Sequence, residues 1–235
     1  MIPKHVGVIL DGNRRFAKQL MKKPWEGHFY GLQKSREFLE WACQSGIKYL
    51  TAYTLSLENL KTRPKRELAF ILKCLKDEMN SILKEKTHPS HRYGIRIRFI
   101  GRRAVLPDDV QRLMSDVERA TSGYSQHTLN LAVAYGGQQE IVDATKEIAA
   151  KCMKGILSPA QLDEALIKEH LYTNGSPYPD MIIRSGGEKR LSNFLPFQSA
   201  YSELIFTDKK WPELTKEDFK GFLREFEQRQ RRFGK

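Results

Sequence analysis

The sequence predicts an α/β fold: a single domain over residues 1–235, with about six mostly parallel strands in a central sheet flanked by helices. Short apolar or alternating runs recur between longer segments of helical period, the pattern of a parallel sheet whose crossovers are helices. The length of 235 residues suits one such core better than two small ones. A hydrophobic fraction of 40% beside 29% charged residues, with no long stretch of Pro, Gly, Ser or one charge sign, excludes wholesale disorder.

Taken in order, Val6 to Leu10 is the first strand, five residues of mainly apolar character and too short for a signal segment. Gly31 to Gln44 places Leu32, Leu39, Ala42 and Cys43 on one helical stripe and ends at Gly46, which suits a left-handed cap. Tyr49 to Ser56 is the second strand. Pro64 to Lys86 is the longest helix, with Pro in its first turn and Leu68, Ile71, Leu72, Leu75, Met79, Ile82 and Leu83 on one broad face. That face suits core packing and equally the wall of a hydrophobic tunnel. Ile95 to Ile100, Leu129 to Ala134, Met181 to Arg184 and Leu204 to Phe206 complete the strands. Helices are expected at Pro107 to Thr121, Gln138 to Met153, Pro159 to His170 and Thr215 to Arg231.

Cys43, Cys74 and Cys152 are far apart and odd in number, so neither a disulfide framework nor a Cys-x-x-Cys metal knuckle is indicated, which fits a reducing, cytoplasmic setting. No run reaches the ~18 apolar residues that a membrane span needs. The net charge of +12 attracts polyanions: nucleic acid, anionic lipid or phosphorylated small substrates. Lys22 and Lys23, the run from Arg96 to Arg103 and the tail of Arg229, Arg231, Arg232 and Lys235 carry much of it, and each also suits a solvated basic surface.

Chemistry gathers at expected strand ends, where open α/β sheets bind ligands. After the first strand stands Asp11-Gly12-Asn13-Arg14-Arg15-Phe16-Ala17-Lys18, a carboxylate among cations. A helix beginning there adds its amide groups to the attraction for a diphosphate, and Asp11 would hold a divalent ion that also touches phosphate oxygens. The same letters suit a turn with a helix cap. Pro179 to Asn193 repeats the design, with Arg184 at a strand end, Gly186 and Gly187, then Arg190 and Ser192; the planar arginine fork can bond two phosphate oxygens at once. Ser56-Leu57-Glu58-Asn59 with Arg63, and Gly27-His28, are the third and fourth pieces. No P-loop, Gly-x-Ser-x-Gly elbow, His-Glu-x-x-His or Gly-x-Gly-x-x-Gly occurs.

These motifs, with Ala134-Tyr135-Gly136-Gly137, Ser199 to Asp208 and the ending Arg231-Arg232-Phe233-Gly234, resemble those of the cis-prenyltransferases over His5 to Gly234. The resemblance implies an undecaprenyl diphosphate synthase-like fold and the Mg²⁺-dependent condensation of isopentenyl diphosphate with an allylic prenyl diphosphate. It implies that Asp11 is a catalytic Mg²⁺ ligand with Glu203 as a second metal-linked carboxylate, and that Gly12, Asn13, Arg14, Arg15, Phe16 and His28 hold the allylic diphosphate. Ser56, Leu57, Glu58 and Arg63 would bind substrate, with Ser56, Glu58 and Asn59 in a mobile segment beside the active site and Asn59, Asp11 or a diphosphate oxygen receiving the proton. Arg184, Arg190, Leu191 and Ser192 would hold isopentenyl diphosphate, and Arg232 and Gly234 would reach the active site of a partner in a homodimer. Long products would add a peripheral membrane contact, and no nucleic acid partner is expected.

The chain departs from the family pattern at Pro24, where an Arg is common and Lys22 or Lys23 would have to substitute. It departs again at Phe16 and Leu60, at Pro196-Phe197, and in one extra residue near Thr62 that shifts the register of Arg63. An irregular or short-chain condensation is the alternative these departures raise; a catalytically silent partner subunit and, from charge alone, a nucleic-acid-binding protein are further ones.

Overall fold

A computed structural model describes residues 2–229; the expected contribution of Arg232 and Gly234 lies outside them. The strands are β1 (His5–Ile9), β2 (Tyr49–Ser56), β3 (Ile95–Ile100), β4 (His127–Tyr135), β5 (Met181–Arg184) and β6 (Glu203–Phe206). They form one sheet in the order β3-β4-β2-β1-β5-β6, and every pairing is parallel rather than mostly so. The helices are α1 (Asn13–Gln19), α2 (Gly27–Gln44), α3 (Leu57–Thr62), α4 (Lys65–Lys84), α5 (Pro89–Arg92), α6 (Asp108–Thr121), α7 (Gly137–Met153), α8 (Glu164–His170) and α9 (Lys216–Gln228).

Alternation along the strands sends side chains to two apolar layers. Val6, Val8, Met181 and Ile183 join Phe38 and Leu39 of α2, Ile71, Leu75 and Met79 of α4, Val110 and Met114 of α6 and Phe219 of α9. Ile9, Ile182 and Tyr135 face the other way, onto Phe194 and Leu195. The expected helix from Pro159 to His170 is broken. A 3-10 turn at Pro159–Gln161 is followed by Asp163, whose carboxylate accepts from the Leu166 N–H at 2.8 Å and starts α8 as a fresh helix.

β1 pairs with β2 on one side and β5 on the other. The chain runs outward in opposite directions from this centre, so a crevice opens beyond the carboxyl end of β1, the usual ligand position in such sheets.

Candidate active site

Asp11 stands two residues past β1, with its carboxylate between two guanidinium groups. Arg15 Nη2 lies 3.2 Å from Oδ1 and Arg184 Nη2 3.0 Å from Oδ2. The Gly12 N–H also donates to Oδ1 at 2.6 Å. Gly12 makes the turn into α1 with φ 101°, and a Cβ there would stand 2.7 Å from Lys210 Cβ, so glycine is required on both counts. Ser185 fastens the Asp11 backbone from the β5 side, its Oγ 3.1 Å from the Asp11 N and 2.8 Å from the Asp11 carbonyl.

Arg184 ends β5 and is 5% exposed. Its Nη1 donates to the Arg190 carbonyl at 2.5 Å and to Ser192 Oγ at 2.7 Å, while Nη2 reaches Asp11. Its Nε is buried without a protein partner, an open donor beside the pocket. The fork thus spans Asp11 and the loop that follows β5, a geometry a lysine could not reproduce.

The third wall begins where β2 runs into α3. Ser56 Oγ accepts from the Asn59 N–H at 3.0 Å and starts the helix. Pro64 then forces Arg63 to extended backbone, with φ −76° and ψ 144°, which ends α3 and turns the chain into α4. This turn brings Arg63 into the pocket. Its Nη1 contacts Glu67 Oε1 and lies 3.0 Å from His28 Nε2. His28 Nε2 is also 3.2 Å from Glu67 Oε1, and Arg14 Nε is 3.7 Å from the same oxygen.

Glu67 was not anticipated from the sequence. Its side chain is 2% exposed, and it gathers Arg63, His28 and Arg14 around one carboxylate. Burial pushes this carboxyl up, but the His28 hydrogen bond and the Arg63 and Arg14 charges outweigh it and hold it below the usual range. Burial, reinforced by Arg63, lowers His28, so the imidazole is neutral near pH 7.

These elements enclose a cavity of about 930 Å³ lined by Asp11, Gly12, Asn13, Arg14, Arg15, His28, Ser56, Glu58, Asn59, Arg63, Arg184 and Ser192. Asn193, Leu32, Ile71, Cys74 and Leu75 also line it. The cavity therefore joins a cationic rim at the strand tips to an apolar throat between α2 and α4, consistent with one apolar face of the long helix serving both core and ligand.

Other expected residues lie elsewhere. Phe16 packs edge-on against Tyr30 at 5.5 Å between ring centroids. Leu57 is buried at the start of α3, and Leu191 packs against the smaller apolar cluster. Arg190 gives its backbone carbonyl to Arg184, while its exposed guanidinium pairs with Glu188 at 2.6 Å. Lys22 and Lys23, the expected substitutes for the arginine absent at Pro24, lie over the rings of Tyr30 and Trp25.

Glu203, expected as a second metal-linked carboxylate, stands apart from Asp11 within the chain. It opens β6 in register with Met181, whereas Phe206 is the residue level with Arg184. At about 3.3 Å per residue it sits roughly 10 Å down the sheet from that level, where Arg229 Nη1 holds it at 3.1 Å. Among the described residues no group of three or more His, Cys, Asp or Glu converges as a metal cage. Asp11, a strand-tip carboxylate in a cationic pocket, still fits a Mg²⁺ ion that takes its remaining ligands from phosphate and water.

An α/β protein whose strand-tip pocket holds a carboxylate bracketed by guanidinium groups and runs into an apolar throat is built as an enzyme for diphosphate esters of apolar chains. The chain matches the prenyltransferase family model described as undecaprenyl diphosphate synthase over residues 9–234. It is 46% identical over 234 residues to the tritrans,polycis-undecaprenyl-diphosphate synthase (geranylgeranyl-diphosphate specific) of Thermococcus kodakarensis, covering 100% of this chain and 88% of that one. The isoprenyl transferase of Thermus thermophilus is 44% identical over 238 residues, with 100% and 89% covered. Among solved structures, lavandulyl diphosphate synthase from Lavandula x intermedia in complex with dimethylallyl diphosphate superposes with a TM-score of 0.93 at 36% identity, over 100% of this chain and 99% of that one. This chain belongs to the cis-prenyltransferase family.

Proposed function

We propose that the protein condenses isopentenyl diphosphate with an allylic prenyl diphosphate in cis-type chain elongation, releasing diphosphate, with Mg²⁺ as the metal. The observation that carries this reading is the pocket itself: Arg14, Arg15, Arg184 and Ser192 line one cavity with Asp11, whose carboxylate bonds both Arg15 and Arg184, and with the apolar Leu32, Ile71 and Leu75. Two diphosphates can lie on opposed walls while the allylic chain descends the throat.

Arg14, Arg15 and Asn13 receive the allylic diphosphate, steadied by His28 and Arg63. As its C–O bond breaks, the leaving group takes the electron pair, and the fixed guanidinium groups stabilise the charge that develops. Arg184 and Ser192 hold isopentenyl diphosphate, whose double bond supplies the electrons of the new C–C bond. The proton then lost passes to a diphosphate oxygen or to Asp11, because the Asn59 amide is no base; Asn59 instead orients that end of the pocket. Asp11 would hold Mg²⁺, which supplies charge neutralisation at phosphate oxygens when bound.

The names of the archaeal relatives at 46% identity support geranylgeranyl diphosphate, a C20 primer, as the preferred allylic substrate. We also assign a cytoplasmic homodimer whose long products draw it to the bilayer surface; among the described residues no helix is long and apolar enough to cross a membrane.

The test is incubation with radiolabelled isopentenyl diphosphate, Mg²⁺ and primers from C5 to C20, with product masses determined. Longer allylic diphosphates, abolished by EDTA, are expected. Incorporation with none of the primers contradicts the proposal, and a single condensation to a branched product identifies an irregular synthase instead.

A further inference from the structure

The loop that follows β5 has an uncommon backbone. Ser192, Asn193 and Leu195 all have positive φ, at 51°, 66° and 49°. Left-handed geometry disfavours most side chains, Asn least among non-glycine residues, and it persists where surrounding contacts over-determine it. Asn193 has such contacts on every side. Its carbonyl accepts from the Gly137 N–H at 2.8 Å, and its Oδ1 accepts from the Gln138 N–H at 2.8 Å. Its Nδ2 donates to Gln139 Oε1 at 3.1 Å and to Glu58 Oε1 at 2.9 Å.

The two glycines before Gln138 exist for this approach. A Cβ at Gly136 would stand 2.2 Å from Gln139 Oε1 and 2.9 Å from Asn193 Nδ2. A Cβ at Gly137 would stand 2.0 Å from Pro196 Cδ. The Tyr135-Gly136-Gly137 motif therefore has a packing reason, as it lets the first turn of α7 seat the loop. Tyr53 adds a contact, its hydroxyl 3.3 Å from the Ser192 carbonyl.

Asn193 is thus tied firmly to α7 and reaches across the pocket to α3 by one bond, to Glu58. Its neighbour Ser192 holds Arg184, and Glu58 is one residue from Asn59. We propose that Asn193 is a positioning residue that latches α3 to the loop bearing Ser192, setting the isopentenyl diphosphate wall against the segment that flanks the allylic substrate. This role rests on the proposed reading of the two walls.

The decisive variants reverse the polarity of the latch. Asn193→Asp keeps the size and the acceptor for Gln138 but removes both donors and sets a carboxylate against Glu58. We expect its kcat/KM for isopentenyl diphosphate to fall about 10- to 100-fold, since small misplacements at a reacting site have effects of that size. Adding Glu58→Gln supplies a donor from the α3 side, and the double variant should return to within roughly threefold of Glu58→Gln alone, a strong coupling between touching residues. Asn193→Ala, which leaves no bond to restore, should show the loss without rescue by Glu58→Gln. KM for isopentenyl diphosphate should rise in Asn193→Asp and in Asn193→Ala, and fall back toward the Glu58→Gln value in the double variant.

Failure of Glu58→Gln to rescue Asn193→Asp overturns the latch, as does an Asn193→Asp enzyme with unaltered kinetics. Wild-type protein that incorporates no isopentenyl diphosphate sinks the functional reading itself, so the two failures are distinguishable.

Discussion

Glu67→Gln removes one charge from the pocket wall and leaves the shape of the side chain intact. The carboxylate is 2% exposed and serves Arg63, which is 19% exposed, together with His28 and Arg14. Removing one member of a fully buried ion pair costs about 3–5 kcal/mol, because the other charge is left uncompensated. Arg63 retains some water contact and glutamine retains an acceptor oxygen, so about 2 kcal/mol is the expected loss here. For a domain of this size that corresponds to a fall of roughly 4–8 °C in melting temperature.

The dependence on pH follows from the sign of the shift. A carboxyl held below its ordinary range contributes stability above its unfolded value of about 4.3, and that contribution is lost as pH falls through the folded value. The gap between wild type and variant should therefore be full near pH 7 and narrow progressively as pH falls below about 4.3. Thermal unfolding across this range measures the gap, and steady-state kinetics should show a raised KM for the allylic primer as Arg63 loses its anchor. Equal melting temperatures at pH 7 with an unchanged primer KM would refute the reasoning.

Arg184→Lys should lower kcat/KM for isopentenyl diphosphate roughly 100-fold, because two charge-assisted bonds of about 1.5 kcal/mol each cannot be kept by one ammonium; near-normal kinetics would remove Arg184 from the site. Gly27→Ala should cost about 3 kcal/mol in denaturant unfolding, since its Cβ would stand 1.9 Å from the Asn13 carbonyl oxygen, backbone that cannot yield. His5 is fully buried against Pro177 and Thr51, and burial lowers its pKa from 6.5 to about 4. The unfolded chain takes up this proton first, so stability is fully present above about pH 6.5 and declines toward pH 4 by up to about 3 kcal/mol. Urea titrations of wild type and His5→Gln should show that slope flattened in the variant.

The sheet was legible because each strand carries a short apolar run between amphipathic segments, and its ends fell within two residues of expectation. Asp11, Arg14, Arg15 and Arg184 were legible because strand-tip position and residue type coincide. Glu67 was hidden among Lys65 and Arg66, where a carboxylate reads as solvated. A signal was present nonetheless: Glu67 precedes Ile71, Leu75 and Met79 at intervals of four, on the buried face of α4. The position of Glu203 relative to Asp11 was not legible, because a motif fixes order along the chain but not which end of a four-residue strand a residue occupies. Asn193 escaped notice as a single letter in a loop, because its role depends on α3 and α7 arriving from distant parts of the chain.

The central claim is that one pocket seats two diphosphates on opposed walls around Asp11. A crystal structure with Mg²⁺, isopentenyl diphosphate and an unreactive thio-analogue of geranylgeranyl diphosphate tests it most directly. The account predicts one diphosphate against Arg14, Arg15 and Asn13, the other against Arg184 and Ser192, and the prenyl chain along Leu32, Ile71 and Leu75. Both diphosphates on one wall, or a prenyl chain outside the α2–α4 throat, would contradict it.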